Sequence, residues 1–122
     1  KFPYIQTYVY FCSMNRKIKY YKHYFIDFYN SLDLATQRKI AYVLQYIKTE
    51  QRWNEKFVKF IRDGLFELRA NNNGNIYRVF FILDDGNIVI LFNGFQKKSQ
   101  KTPKQEIEKA INLKNQYYAD KQ

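Results

Sequence analysis

Apolar positions along the chain change period several times, and each change predicts an element. Lys17-Ile18-Lys19-Tyr20-Tyr21 alternates as a short strand does. Phe25, Phe28, Tyr29 and Leu32 then fall at the i, i+3, i+4, i+7 spacing of one helical face, which predicts a helix over 23–31. Asp33 is a suitable N-cap for a second helix over 34–50, whose apolar face is Ile40, Val43, Leu44 and Ile47. The short connection makes the pair an antiparallel helical hairpin. Residues 51–63 are less regular; Phe57, Phe60 and Ile61 predict one or two helical turns packed back onto the core, ended by a turn at Asp63-Gly64.

The period then becomes two. Leu65 to Ala70 alternates, with Phe66 and Leu68 on one face and Glu67 and Arg69 on the other. Residues 71–75 read as a polar loop, Ile76 to Leu83 as a second strand, and Asp84-Asp85-Gly86-Asn87 as a hairpin turn. Ile88 to Phe92 is apolar on both faces, so its sheet needs cover on both sides. A turn is expected at Gly94. A final helix should begin with Thr102 as cap, Pro103 in the first position and Gln105 closing a capping box. Its buried stripe is Ile107, Ala110, Ile111, Leu113 and Tyr117, and 119–122 should fray. Strand, helical hairpin, three-stranded meander and helix make an α+β fold in one domain.

Composition adds a partner class. The 122 residues carry a formal net charge of +10, which calls for an acidic partner such as nucleic acid, an anionic membrane or an acidic protein. The 12 tyrosines and 11 phenylalanines can fill a small core, and exposed ones can stack on bases. The single cysteine, Cys12, excludes an internal disulfide and a cysteine-based zinc site, and a reducing cytoplasm is the simplest compartment. No apolar run reaches the length of a membrane span. The only methionine is Met14, and Met14-Asn15-Arg16-Lys17-Ile18 reads as a natural beginning. Residues 1–13 are therefore expected to be an extension, with the domain over 14–122. The other reading is an additional strand at Tyr8-Val9-Tyr10-Phe11. Gln96 to Lys104 holds four lysines and no acid, so a buried strand delivers a compact cationic patch suited to phosphate.

Three motifs carry a family resemblance. Gly64-Leu65-Phe66-Glu67-Leu68-Arg69, then Ile76-Tyr77-Arg78-Val79-Phe80, then the run from Leu91-Phe92-Asn93-Gly94-Phe95-Gln96-Lys97-Lys98 to Lys101-Thr102-Pro103 resemble HigB-type toxins of the RelE/ParE superfamily, in its phage-derived branch. The likeness runs from Met14 to Tyr118. It implies a RelE-like fold and a small endoribonuclease that cuts mRNA, typically on the ribosome, with no cofactor. It also implies a cognate antitoxin of the HigA-like helix-turn-helix kind. A ParE-like inhibitor of DNA gyrase shares the superfamily and is the main rival; a basic RNA-binding domain without catalysis is the other.

RNA cleavage through the neighbouring 2′-hydroxyl needs in-line positioning, removal of that proton, protonation of the leaving oxygen and cationic support for the transition state. No His, Asp and Glu cluster has metal-ligand spacing, and the lone His23 has no obvious partner. Arg69 and Arg78 stand on neighbouring strands where two guanidinium forks can clamp the scissile phosphate; the competing role is pairing with Glu67 or helix acids. Lys97, Lys98 and Lys101 are the candidate proton carriers, because crowded cations lower one another's pKa; Lys98 ranks first and Lys97 second. The alternative is that all three only hold phosphates. Phe95 cannot transfer a proton, so it is assigned to base stacking. Glu67 shares a face with Arg69 and is assigned to orienting it, with service as a base as the other role. Tyr77 alternates away from Arg78 and belongs to the core.

Overall fold

The computed structural model describes residues 15–98 and 101–121. The expected extension over 1–13, including Tyr8 to Phe11, lies outside them. Eight elements follow in chain order: β1 (Lys17–Tyr20), α1 (Tyr24–Asn30), α2 (Leu34–Thr49), β2 (Val58–Arg62), β3 (Leu65–Asn72), β4 (Asn75–Asp84), β5 (Ile88–Lys97) and α3 (Lys104–Lys121). The strands form one sheet in the order β1-β5-β4-β3-β2. The meander from β2 to β5 is antiparallel, and β1 joins the far side of β5 in parallel.

The helical hairpin forms where the periodicity places it. The Asp33 side chain caps α2 by accepting from the Thr36 amide at 3.1 Å, satisfying one of the orphan N–H groups of the first turn. Ile40, Val43 and Ile47 then bury against one face of the sheet, together with Phe25, Leu68, Val79, Phe81 and Leu91. On the other face, α3 lays Ala110 and Leu113 over Leu65, Phe80, Ile82, Ile90 and Phe92. The central strands are thus covered on both sides, as the two apolar faces of β5 require.

The structure departs from the sequence expectations in several places. Residues 58–62 are a strand, not helical turns. Phe57, Phe60 and Ile61 do sit at helical spacing, but the Asp63-Gly64 turn folds the segment back so that Val58, Lys59 and Phe60 pair with Leu68, Glu67 and Phe66. Asp63 and Gly64 both have positive φ, 53° and 78°, the geometry that matches the twist of a two-residue hairpin. The polar loop shrinks to a similar tight turn at Asn73-Gly74, lengthening β3 and β4.

Gly94 is not a turn. Strand β5 runs through it to Lys97, pairing Gly94 with Val79, Phe95 with Arg78, and Lys97 with Ile76. A Cβ on Gly94 would stand 2.5 Å from the Phe28 ring, so the glycine is there to let α1 lie close on the strand. A register irregularity between Val79 and Phe81 lets Phe92 and Phe95 pack in the same layer under α3.

Helix α3 starts one residue later than its capping pattern predicts. The Pro103 carbonyl accepts from the amides of Glu106 and Ile107, while the Thr102 hydroxyl donates to Glu67 at 3.0 Å. Its last turn does not fray: it stays helical to Lys121, whose ammonium reaches Asp84 at 2.8 Å.

Candidate functional site

The face of the sheet under α3 is apolar along most of its length and changes character at the N-terminal end of that helix. There the meander sets Lys59 opposite Glu67 and Arg69 opposite Arg78, which in turn pairs with Phe95. Strand alternation puts Lys97 on the same face, beside Ile76. A cleft of about 460 Å³ opens between them, lined by Lys59, Glu67, Arg69, Lys97, Lys101 and Thr102 among others.

Glu67 is the hub. Its side chain is fully buried, and one oxygen accepts from Arg69 Nε at 3.2 Å and lies 3.5 Å from Arg78 Nε. The other oxygen accepts from the Thr102 hydroxyl. The Asp63-Gly64 hairpin and the segment just before α3 therefore converge on one carboxylate, which orders the cations around it. Burying that carboxylate without partners would cost several kcal/mol, on the order of the penalty for any desolvated charge.

The two arginines are not equivalent. Arg69 keeps 25% of its side chain exposed, lines the cleft, and is fixed by Glu67 and by the Glu55 carbonyl, which accepts from Nη1 at 3.2 Å. Arg78 is 7% exposed and sits behind it, donating to the Tyr77 carbonyl at 3.1 Å. Burial holds the Arg78 pKa below the usual guanidinium range, with Glu67 opposing that and Arg69 adding to it.

The lysines also separate. Lys97 lines the cleft, and its pKa is lowered, first by burial, then by the charge of Arg78, with smaller contributions from Arg69 and Lys59 against an opposing one from Glu67. Lys98 follows the end of β5, is exposed, and does not line the cleft. Lys101 is exposed at the rim. Phe95 is half-buried and stacks on Phe80, with ring centroids 5.8 Å apart. Tyr77 is buried on the α1–α2 side, as strand alternation predicts.

Lys59 was missed by sequence reasoning because its segment was read as helical. The alternation Val58-Lys59-Phe60, immediately before an Asp-Gly turn, is the signal that would have found it. His23 lies away from the cleft, next to α1. Among the described residues no group of three or more His, Cys, Asp and Glu side chains is placed to hold a metal ion.

Fold and site together define a small α+β domain with a cationic cleft built around one buried carboxylate. The family described as phage derived protein Gp49-like (DUF891) matches residues 27–115, and the chain belongs to that family. Among solved structures, an archaeal RelE from the RelE–RelB complex of Pyrococcus horikoshii OT3 aligns over 72% of this chain and 99% of its own, at 18% identity and a TM-score of 0.49. No curated protein matches the chain.

Proposed function

We propose that the protein is the toxin of a toxin–antitoxin pair and an endoribonuclease acting on mRNA at the ribosome. The observation that carries this reading is the cleft itself: Lys59, Arg69, Lys97 and Lys101 face one volume, while the carboxylate in it is already engaged by Arg69 and Thr102. An RNA phosphate supplies the negative charge such a cleft lacks.

The chemistry follows from the positions. Arg69, held by Glu67 and the Glu55 carbonyl, presents a preorganised guanidinium to the scissile phosphate and supports charge developing on its oxygens. Lys97, whose ammonium is disfavoured by burial and by Arg78, is assigned to taking the proton from the 2′-hydroxyl. The oxygen so freed attacks phosphorus in line, the bond to the 5′-oxygen breaks, and a 2′,3′-cyclic phosphate and a 5′-hydroxyl result. The ammonium groups of Lys59 and Lys101 at the rim are placed to hold flanking phosphates and to protonate the leaving oxygen. Arg78 acts through Glu67 and Arg69 as a buried counter-charge. Lys98 is assigned to long-range attraction, and Phe95, on β5 beside Arg78, packs on Phe80.

The expected partner is a HigA-like helix-turn-helix antitoxin, with both proteins in the cytoplasm. No described helix is long and apolar enough to cross a membrane.

Incubating the purified protein with ribosomes programmed with mRNA tests this reading. Products ending in 2′,3′-cyclic phosphate are expected. Intact mRNA together with blocked DNA supercoiling would replace it with gyrase inhibition, and RNA binding without cleavage would reduce it to a binding domain.

A further inference from the structure

Helix α3 has a second cleft on its opposite flank. The first turns of the helix divide the two: Thr102 and Ile107 line the cationic cleft, whereas Lys104, Gln105 and Glu108 line a groove of about 510 Å³ that runs along the helix toward Gln116. The far wall of this groove is Tyr24, at the start of α1. Tyr24 also borders a smaller depression of about 250 Å³ with Lys22 and His23, so its ring stands as a ridge between two hollows.

We propose that this groove holds the bases of single-stranded RNA flanking the cleavage site, with Tyr24 as the stacking platform. The inference rests on the ribonuclease reading and extends it to where the rest of the strand lies. Three features point to RNA. The Tyr24 ring is 37% exposed and carries the Lys109 ammonium 4.7 Å from its centroid, pairing an aromatic face with a phosphate-binding cation. Gln105, Asn112 and Gln116 follow one another along the groove, and amide side chains offer both donors and acceptors to base edges.

The third feature is the local backbone. Lys22 is held at a φ of 58°, a left-handed conformation that disfavours a lysine, and its ammonium donates to the Gln116 amide at 2.7 Å. Strain of this kind is kept where surrounding contacts fix it, and here they bring the β1–α1 corner against α3. The acids nearby do not cancel the cations. Glu108 is paired with Arg62 at 2.9 Å, leaving Lys104 and Lys109 as the positive side of the groove, while Lys22 and Asp27 line the smaller depression. A strand leaving the cleft past Lys101 meets Lys104 next, so the two clefts read as one track around the helix start.

Binding of uncleavable 2′-O-methyl RNA separates the groove from the cleft. An oligonucleotide of about four nucleotides occupies the cleft alone, while one of about twelve reaches around the helix, in the range of site sizes for single-strand binders. Tyr24→Ala should weaken the longer RNA about tenfold, the loss of one stacked base, and leave the shorter one unchanged. Tyr24→Phe keeps the ring and should keep the affinity. Lys104→Gln with Lys109→Gln should lower the salt slope for the longer RNA by about 1.4. Equal affinity of Tyr24→Ala and wild type for the longer RNA overturns the inference while leaving the ribonuclease reading intact. A loss shared equally by both lengths also overturns it. Failure of the wild-type protein to bind the longer RNA more tightly than the shorter one overturns the inference as well, while cleavage on programmed ribosomes decides the ribonuclease reading separately.

Discussion

One face of the sheet carries two regions built on opposite rules. Under the middle of α3, Phe80, Ile82, Ile90 and Phe92 meet Ala110 and Leu113 with almost no exposed area. At the N-terminal end of the same helix, the same strands present Glu67, Arg69, Arg78 and Lys97. The strands do not change; the cover does. Where the helix lies over the sheet, side chains are apolar and energy comes from burial. Where it ends, the outward positions become charged and are held by one buried carboxylate. The apolar half sets the positions of Arg69 and Lys97 to within the precision of a packed core, which a loop would not do. Perturbing the two halves should therefore give different failures.

The largest effect belongs to the apolar half. Phe80 is fully buried, stacks on Phe95 and lies in the layer under α3. Phe80→Ala should cost about 3–5 kcal/mol of stability, measured by urea unfolding, and cleavage should be lost together with the fold. A variant that stayed as stable as wild type but inactive would show that the halves are not separable in this way.

The next effect belongs to the charged half. Lys97→Ala should lower the cleavage rate roughly 10²–10³-fold, the usual loss for one preorganised charged group at a transition state, with little change in the melting temperature. Lys97→Arg tests the proton-transfer role. The Lys97 ammonium is disfavoured in the fold by burial and then by Arg78, so it loses its proton at a lower pH than the ordinary 10.5. If it is the base, the wild-type rate climbs with pH up to that lowered pKa and then levels, and Lys97→Arg abolishes the climb. If it serves only as a charge, the rate falls over the same range and Lys97→Arg restores activity. Stability has a matching sign. Between the lowered pKa and 10.5 the unfolded chain binds more protons than the folded one, so this residue's contribution to stability grows as pH rises through that window.

Much of the fold was legible because it rests on local periodicity: Phe25 to Leu32 and Ile40 to Ile47 for the hairpin, alternation for β3 and β4, Asp-Gly for the turns. The misreadings came from features that depend on distant partners. Phe57, Phe60 and Ile61 mimic a helix face, and only the pairing of Val58 with Leu68 and Lys59 with Glu67 reveals β2. Gly94 resembles turn punctuation, but its reason is the Phe28 ring of another element. In the site, alternation was enough to bring Arg69 and Arg78 together. It could not show that one is buried behind the other, because burial depends on where α3 stops. Removing Arg78 thus threatens the pairing of Glu67 and with it the fold, and Arg78→Ala is not the clean functional test that its sequence position implies.

A smaller effect comes from the far end of α3, where the helix is tied down instead of left open. The Tyr117 hydroxyl donates to Asp84 at 2.5 Å, and Lys121 donates to the same oxygen. Burial and Asp84 push the Tyr117 phenol up to about 12. Asp84 itself is held below the ordinary carboxylate range by Lys121 first and Tyr117 second. Tyr117→Phe should cost about 1 kcal/mol near neutral pH, since one hydrogen bond is lost while Lys121 remains. Because the folded pKa of Asp84 is depressed, its stabilisation is present above the ordinary Asp value and lost as pH falls through the lowered one. The gap between variant and wild type should therefore close in acid, as followed by thermal unfolding across pH. RNA cleavage should be unaffected, since this end of the helix is remote from Lys97.

The smallest effect is the sharpest test of the comparison, because it uses two adjacent lysines. Lys97 is the last residue of β5, and strand alternation turns it into the cleft with Arg69. Lys98 lies one residue past the strand, is exposed, and lines no part of the cleft. Sequence reasoning ranked Lys98 ahead of Lys97, since a run of lysines has no sidedness until its strand is known to continue through Gly94. Lys98→Ala should change the cleavage rate less than about threefold at physiological salt, the effect of removing one screened surface charge. What effect there is should shrink as salt rises. The Lys97→Ala loss should persist in high salt, because the proposed mechanism places this group at the reacting phosphate. Single-turnover cleavage of one RNA by the two variants at low and high salt decides it. If Lys98→Ala proved as damaging as Lys97→Ala, the chemistry would lie on the segment after the strand, and the packed half of the sheet would not be what positions it.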